Sequence, residues 1–193
     1  MSQSLAIATT SHARLSDLRR SAIIAATAFL TVVDLFAAQA ILPSLARAYD
    51  VSPAIMGLAV NACTLGMAVA SLAVALLSPR IDRRGGILFS LCALAVPTLL
   101  LAFAPDIVSF AALRVAQGLC MASAFTLTLA YLGENCASNV ASSAFAAYIA
   151  GNVGSNLIGR IASSALADHF GLKTNFIALA ILNLLGGATT RAL

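Results

Sequence analysis

Long apolar runs, each closed by a short cluster of turn-forming or charged residues, make up most of the chain. A bilayer core takes about 20 apolar residues as a helix, and six runs reach or approach that length: residues 22–43, 54–77, 87–105, 107–132, 139–167 and 174–190. Between them stand "PSLARAYDVSP", "SPRIDRRGG", "APD", "GENCASN" and "DHFGLKT", whose Pro, Gly, Asn and Asp favour turns. The pattern predicts an all-α membrane protein. Residues 1–20 form an N-terminal tail and residues 21–193 a domain of six transmembrane helices.

Composition sharpens this picture. Of 193 residues, 61% are hydrophobic and 9% charged, and the mean hydropathy is +0.97, outside the range of a soluble domain. A formal charge of +4 raises the question of nucleic acid, but the basic residues sit at the ends of apolar runs and form no patch of their own. The first run starts at residue 21 without a small-residue cleavage site, so it reads as a retained span and not a signal peptide. Cys63, Cys92 and Cys120 fall in apolar runs and Cys136 in a loop, with no metal-ligand spacing, and read as free thiols packed as small apolar groups. No nucleotide, metal or other cofactor motif is found.

Basic residues in short loops mark the cytoplasmic side. With the N-terminus inside, Arg14, Arg19, Arg20, Arg80, Arg83, Arg84 and Arg191 are cytoplasmic, seven against two (Arg47 and Lys173) outside. The remaining two basic residues, Arg114 and Arg160, lie inside spans. An arginine at the centre of a span costs roughly 2.5–3.5 kcal/mol, so it normally faces the bundle interior and has a partner. Asp34 in the first span is the candidate. At 1.5 Å per residue Asp34 is ~13 Å, Arg114 ~10 Å and Arg160 ~12 Å from the outer ends of their spans, which predicts one shared layer. Helical spacing adds Gln117 and Gly118 beside Arg114, Thr27 and Thr31 beside Asp34, and Asn152 and Asn156 beside Arg160; Asn61 and Thr64 supply a fourth polar face. Four such faces are what a water-accessible cavity near the midplane requires, although Asn, Gln and Thr also serve as hydrogen-bonded glue between helices.

A second stripe carries no chemistry. Ala147, Gly151, Ser155, Gly159, Ser163 and Ala167 recur every four residues, with a shorter version in Ala62, Gly66 and Ala70, and small residues at this spacing let another helix approach closely. A serine-protease reading of Gly154-Ser155 fails: Asn156 follows the serine, and the two histidines, His12 and His169, lie in the tail and at a loop. No catalytic residues are assigned, and an enzyme is not expected.

"SPRIDRRGG" and "SALADHFGL" both carry S-xxx-D-xx-G at the end of the second helix of a three-helix group, on opposite sides of the membrane, as two inverted three-helix repeats would place them. With these residues the chain resembles the N-terminal six-helix half of a major facilitator superfamily transporter, particularly the bacterial drug and sugar efflux branch. The family's loop motif G-xxx-D-R-x-G-R-[RK] is matched in its core by Asp82, Arg83 and Gly85, with Ser78 for the first glycine and Gly86 and Ile87 for the last two basic positions. R-xx-Q-G is intact as Arg114, Gln117 and Gly118. "GNVGSNLIGR" is similar to the family's glycine-rich fifth helix, and Glu134 falls where the family has an acid that pairs with the loop motif.

The resemblance implies proton-coupled efflux of a small molecule (a drug, sugar or organic acid) across the bacterial inner membrane, with protons, substrate and the lipid bilayer as partners and no nucleic acid. Asp34 would titrate and Arg114 tune it, since an adjacent cation favours the ionised carboxylate and desolvation the neutral one. Asn61, Gln117, Asn152, Asn156 and Arg160 would line the substrate cavity. Asp82, Arg83, Gly85 and Glu134 would form the cytoplasmic gating loop, with Gly151, Ser155 and Gly159 packing helices. Family members have twelve spans, so the chain reads as truncated to one half, with a missing C-terminal half or a homodimer through the small-residue ribbons of spans two and five. The alternative is a non-transporting remnant, or a membrane partner subunit that needs a second half.

Overall fold

The protein is described by a computed structural model over residues 2–77, 80–135 and 138–190; Ser78, Cys136 and Arg191 of the sequence reading lie outside these. The elements are α1 (Ser2–Ala40), α2 (Leu42–Ala48), α3 (Pro53–Leu77), α4 (Arg83–Leu101), α5 (Ile107–Asn135) and α6 (Ser138–Thr190). Five of them are long and apolar enough to cross a membrane. Among the described residues there is no strand, and the fold is an all-α membrane fold.

Three boundaries differ from the hydropathy pattern. α1 begins at Ser2, so the segment read as a tail is continuous helix with the first span. The first span ends at Ala40, and after Ile41 α2 starts at Leu42 with Pro43 in its first turn, where a missing N–H does no harm. "DHFGLKT" is helix apart from a single break at Gly171, whose φ of 84° and ψ of 164° are open to glycine and strained for other residues. The break reverses the chain. In the first limb of α6, residues 138–170, Gly151 lies against Ala25 and Gly159 against Val33, so it runs parallel to α1. In the second limb, residues 172–190, Asn183 bonds Asp34 and Gly186 lies against Leu30, so it runs antiparallel.

Close helix approach is achieved with small residues, because apolar area alone gives no preference for protein over lipid tails. A Cβ at Gly151 would enter the Ala25 carbonyl, and the Ser163 hydroxyl donates to the Ala37 carbonyl at 3.0 Å. The ribbon of α6 is therefore consumed by α1. On α3 and α5 the arrangement is reciprocal: a Cβ at Gly66 would enter the Val115 carbonyl, and one at Gly118 the Cys63 carbonyl. This corrects the expectation of a dimer through these ribbons, since both face into the unit. The outward faces carry Leu58, Leu65, Val69 and Leu72 on α3 and Ile149, Val153, Leu157 and Ile161 on α6.

Apolar packing closes both ends. Near the Gly171 turn, Phe110 stacks edge-on against Tyr49 and Phe176 at centroid distances of 5.5 and 6.1 Å, and the Tyr49 hydroxyl donates to the Ala104 carbonyl at 3.0 Å. Asp106 starts α5 by accepting from the Val108 and Ser109 N–H groups. The Ser109 N–H and hydroxyl hold its carboxyl below the usual carboxylate range, so this contribution to stability is present at neutral pH and lost as pH falls through that lowered value. At the opposite end Ile24, Ile87, Leu91, Leu127 and Tyr131 form a second cluster.

Gly118→Val is expected to destabilise the bundle by about 1–3 kcal/mol through overpacking at a backbone contact. The thermal midpoint of the purified protein in detergent checks this; an unchanged midpoint would rule out the close α3–α5 approach.

Candidate functional site

Between the two apolar ends lies a buried polar layer. Asp34 of α1, Thr98 of α4, Arg114 and Gln117 of α5 and Asn183 of the second limb of α6 are all 1% exposed or less. Asp34 Oδ2 accepts from Asn183 Nδ2 at 2.7 Å, the Thr98 hydroxyl at 2.9 Å and Gln117 Nε2 at 3.5 Å. Arg114 donates through Nε to the Val60 carbonyl of α3 at 3.0 Å, and through Nη1 to Gln117 Oε1 at 2.5 Å and the Asp34 backbone carbonyl at 3.4 Å.

The two charges do not meet directly. The i, i+3 spacing of Arg114 and Gln117 puts the carboxamide next to the guanidinium. The other end of the same carboxamide donates to the Thr98 hydroxyl at 2.7 Å, and the pair is bridged where the sequence pointed to an ion pair. Among the described residues, Asp34 Oδ1 and Arg114 Nη2 are buried without a hydrogen-bond partner, as is Asn183 Oδ1.

The remaining residues of the predicted layer separate into three groups. Thr27 and Thr31 are buried, but their hydroxyls return to the Ile23 and Thr27 carbonyls of their own helix. Asn61 and Thr64 are exposed on the outward face of α3, because Val60 and Cys63 take the buried face and one further residue turns about 100° away at 3.6 residues per turn. Asn152, Asn156 and Arg160 line an open groove of about 850 Å³ between α1, α5 and the first limb of α6, together with Phe36, Phe125, Phe145 and Tyr148. There Arg160 donates through Nε to Asn156 Oδ1 and through Nη2 to Gln39 Oε1, both at 2.8 Å, and sits 5.8 Å from the Phe36 ring centroid. Asp34 and Arg160 thus occupy different compartments.

Thr98 and Asn183 were missed by the sequence reading. Each is a polar residue in a largely apolar run, the signal that marked Asp34 and Arg114, but neither has a polar companion three or four residues away along its helix.

At the end marked by residues 82–86, Asp82 caps α4 by accepting from the Gly85 N–H at 2.6 Å. Arg83 reaches across to Glu134 of α5, with Nη2–Oε1 at 2.7 Å and Nε–Oε2 at 3.0 Å. Arg84 donates to the Tyr131 hydroxyl at 2.9 Å and lies over its ring. The loop therefore ties α4 to α5 through Arg83 and Arg84. Gly151, Ser155 and Gly159 are buried at the α1–α6 contact.

Fold and layer together define an integral membrane protein with charged groups held at depth by side chains from separate helices. The sequence profile of the Major Facilitator Superfamily matches residues 24–192; the chain belongs to that superfamily. It is similar to an uncharacterized MFS-type transporter, YybF, of Bacillus subtilis (31% identical over 144 residues, 75% of this chain and 36% of the relative). It is also similar to uncharacterized transporters of two Buchnera aphidicola strains, each 28% identical, covering 80% and 78% of this chain and 38% and 37% of the relatives. The chain thus spans less than four-tenths of the length of these curated relatives.

Asn183→Leu is expected to cost about 1–3 kcal/mol of stability, because it leaves the buried Asp34 carboxylate short of a donor. In a double-mutant cycle the penalty should shrink on an Asp34→Leu background. Equal penalties on both backgrounds would show that Asn183 acts independently of Asp34.

Proposed function

We propose that this chain is one six-helix half of a secondary transporter that exports a small molecule in exchange for protons, with Asp34 as the proton-carrying group and Arg114 as its controlling charge. The observation that carries this reading is the bridged geometry. Asp34 Oδ1 and Arg114 Nη2 are an acceptor and a donor of opposite charge, both buried and, among the described residues, unpartnered, on the two sides of one carboxamide. Such a network has two arrangements. With a proton on Asp34 the carboxyl is neutral and the Gln117 bridge suffices; without it the carboxylate and guanidinium gain by closing on each other. That closure moves α1 relative to α5, and a proton-dependent shift between packed helices is what alternating access requires.

The groove beside α6 is the substrate wall in this reading, with the outward apolar face of α3 meeting a second six-helix unit. The Asp82–Arg83–Gly85 loop with Glu134 serves as the gating latch. It lies on the cytoplasmic side of a bacterial inner membrane, an orientation supported by the seven-to-two distribution of basic residues.

Asp34→Asn is expected to abolish substrate-induced proton flux in proteoliposomes loaded with a pH-sensitive dye, while membrane insertion stays intact; undiminished flux would reject Asp34 as the coupling group. Arg114→Ala is expected to lower the rate and displace its pH profile. A variant with rate and profile both unchanged would remove Arg114 from the mechanism.

A further inference from the structure

Among the described residues Arg160 is the one formally charged residue that lines the groove, beside Phe36, Phe125, Phe145, Leu157 and other apolar side chains. Its two hydrogen-bond partners, Asn156 and Gln39, are neutral amides, and among the described residues it makes no ion pair. They orient the guanidinium and leave its charge unbalanced. The polar side chains of this wall are confined to a stripe at i+4 spacing, Tyr148, Asn152, Asn156 and Arg160, and among the described residues the Tyr148 hydroxyl at its far end is buried without a partner.

From this arrangement we infer that the groove binds a small amphipathic organic anion, its carboxylate or sulfonate on Arg160 and its aromatic or alkyl body against the phenylalanines. The inference rests on the transporter reading and names the substrate class of that site. An unbalanced guanidinium at depth is stabilised by an anion and repels a cation. Asp34, the carboxylate that would attract an organic cation, is sealed in the neighbouring layer and does not line the groove. The volume of about 850 Å³ is that of a small-molecule site. Arg160 lies ~16 Å along the helix axis from the Gly171 turn at 1.5 Å per residue, deeper than a lipid headgroup sits, so the anion comes from solution.

The chain has no tryptophan, so naphthalene fluorescence anisotropy reports binding directly. With the purified chain in phosphatidylcholine nanodiscs, 2-naphthoate is expected to bind at least about tenfold more tightly than its neutral isostere 2-naphthamide, the discrimination of one charge-assisted contact. Arg160→Gln should erase the preference at unchanged thermal midpoint, and Arg160→Lys should retain part of it. Equal affinities for the two probes in the unmodified chain, a measurement that needs no variant, would overturn the inference. So would a preference that survives in Arg160→Gln. Competitive displacement of 2-naphthoate by phosphatidylglycerol in the nanodisc would assign Arg160 to lipid headgroups and overturn it as well. Binding is read without flux, so loss of proton coupling leaves this result standing. Absence of the preference alongside intact proton-driven transport would reject the substrate class alone.

Discussion

A single carboxamide, that of Gln117, holds the interior of this bundle together. A membrane interior offers no water to a buried charge, so the polar groups there demand partners from other parts of the protein. Gln117 meets that demand from both ends, accepting from Arg114 and donating to Thr98 and Asp34. Thr98 and Asn183 bring α4 and the second limb of α6 to the same carboxylate oxygen, and Arg114 brings in α3 through the Val60 carbonyl. Five membrane-crossing segments therefore converge on one network, and its geometry constrains how each can move.

That network depends on glycine. Arg114 can reach the backbone of α3 only because α3 and α5 lie almost in backbone contact, and they do so because Gly66 and Gly118 present no side chain at the crossing. The α1–α6 contact uses the same device at Gly151 and Gly159, and it brings Gln39 of α1 within hydrogen-bond distance of Arg160. Packing and chemistry are separate stripes along the chain, yet the first sets the distances of the second.

The two intramembrane arginines have opposite surroundings for a related reason. Arg114 is enclosed, with carbonyl and carboxamide oxygens around it and a carboxylate one residue beyond the bridge. Arg160 opens on a groove of apolar walls, where neutral amides orient it and nothing within the described residues cancels its charge. The first arrangement suits a group whose interactions are internal to the protein, and the second suits a group that meets something from outside.

Periodicity and cost made much of this legible from the residues alone. Runs of about 20 apolar residues have one stable solution in a bilayer, and a charge within such a run needs a compensating environment, so the spans, Asp34 and Arg114 followed directly. The R-xx-Q spacing put Gln117 on the Arg114 face, since three residues along a helix return nearly to the same side. Depth along an axis is also a one-dimensional quantity and can be counted. Rotation about the axis and the identity of the neighbouring helix are not. The tertiary structure alone decided that Asn61 turns outward while Val60 turns in, that the small-residue ribbons are consumed inside the unit, that Thr98 and Asn183 complete the Asp34 site, and that Arg160 stands in a groove apart from it. Each depends on which helix packs against which, and so on contacts between residues far apart in the chain, where no local pattern carries the information.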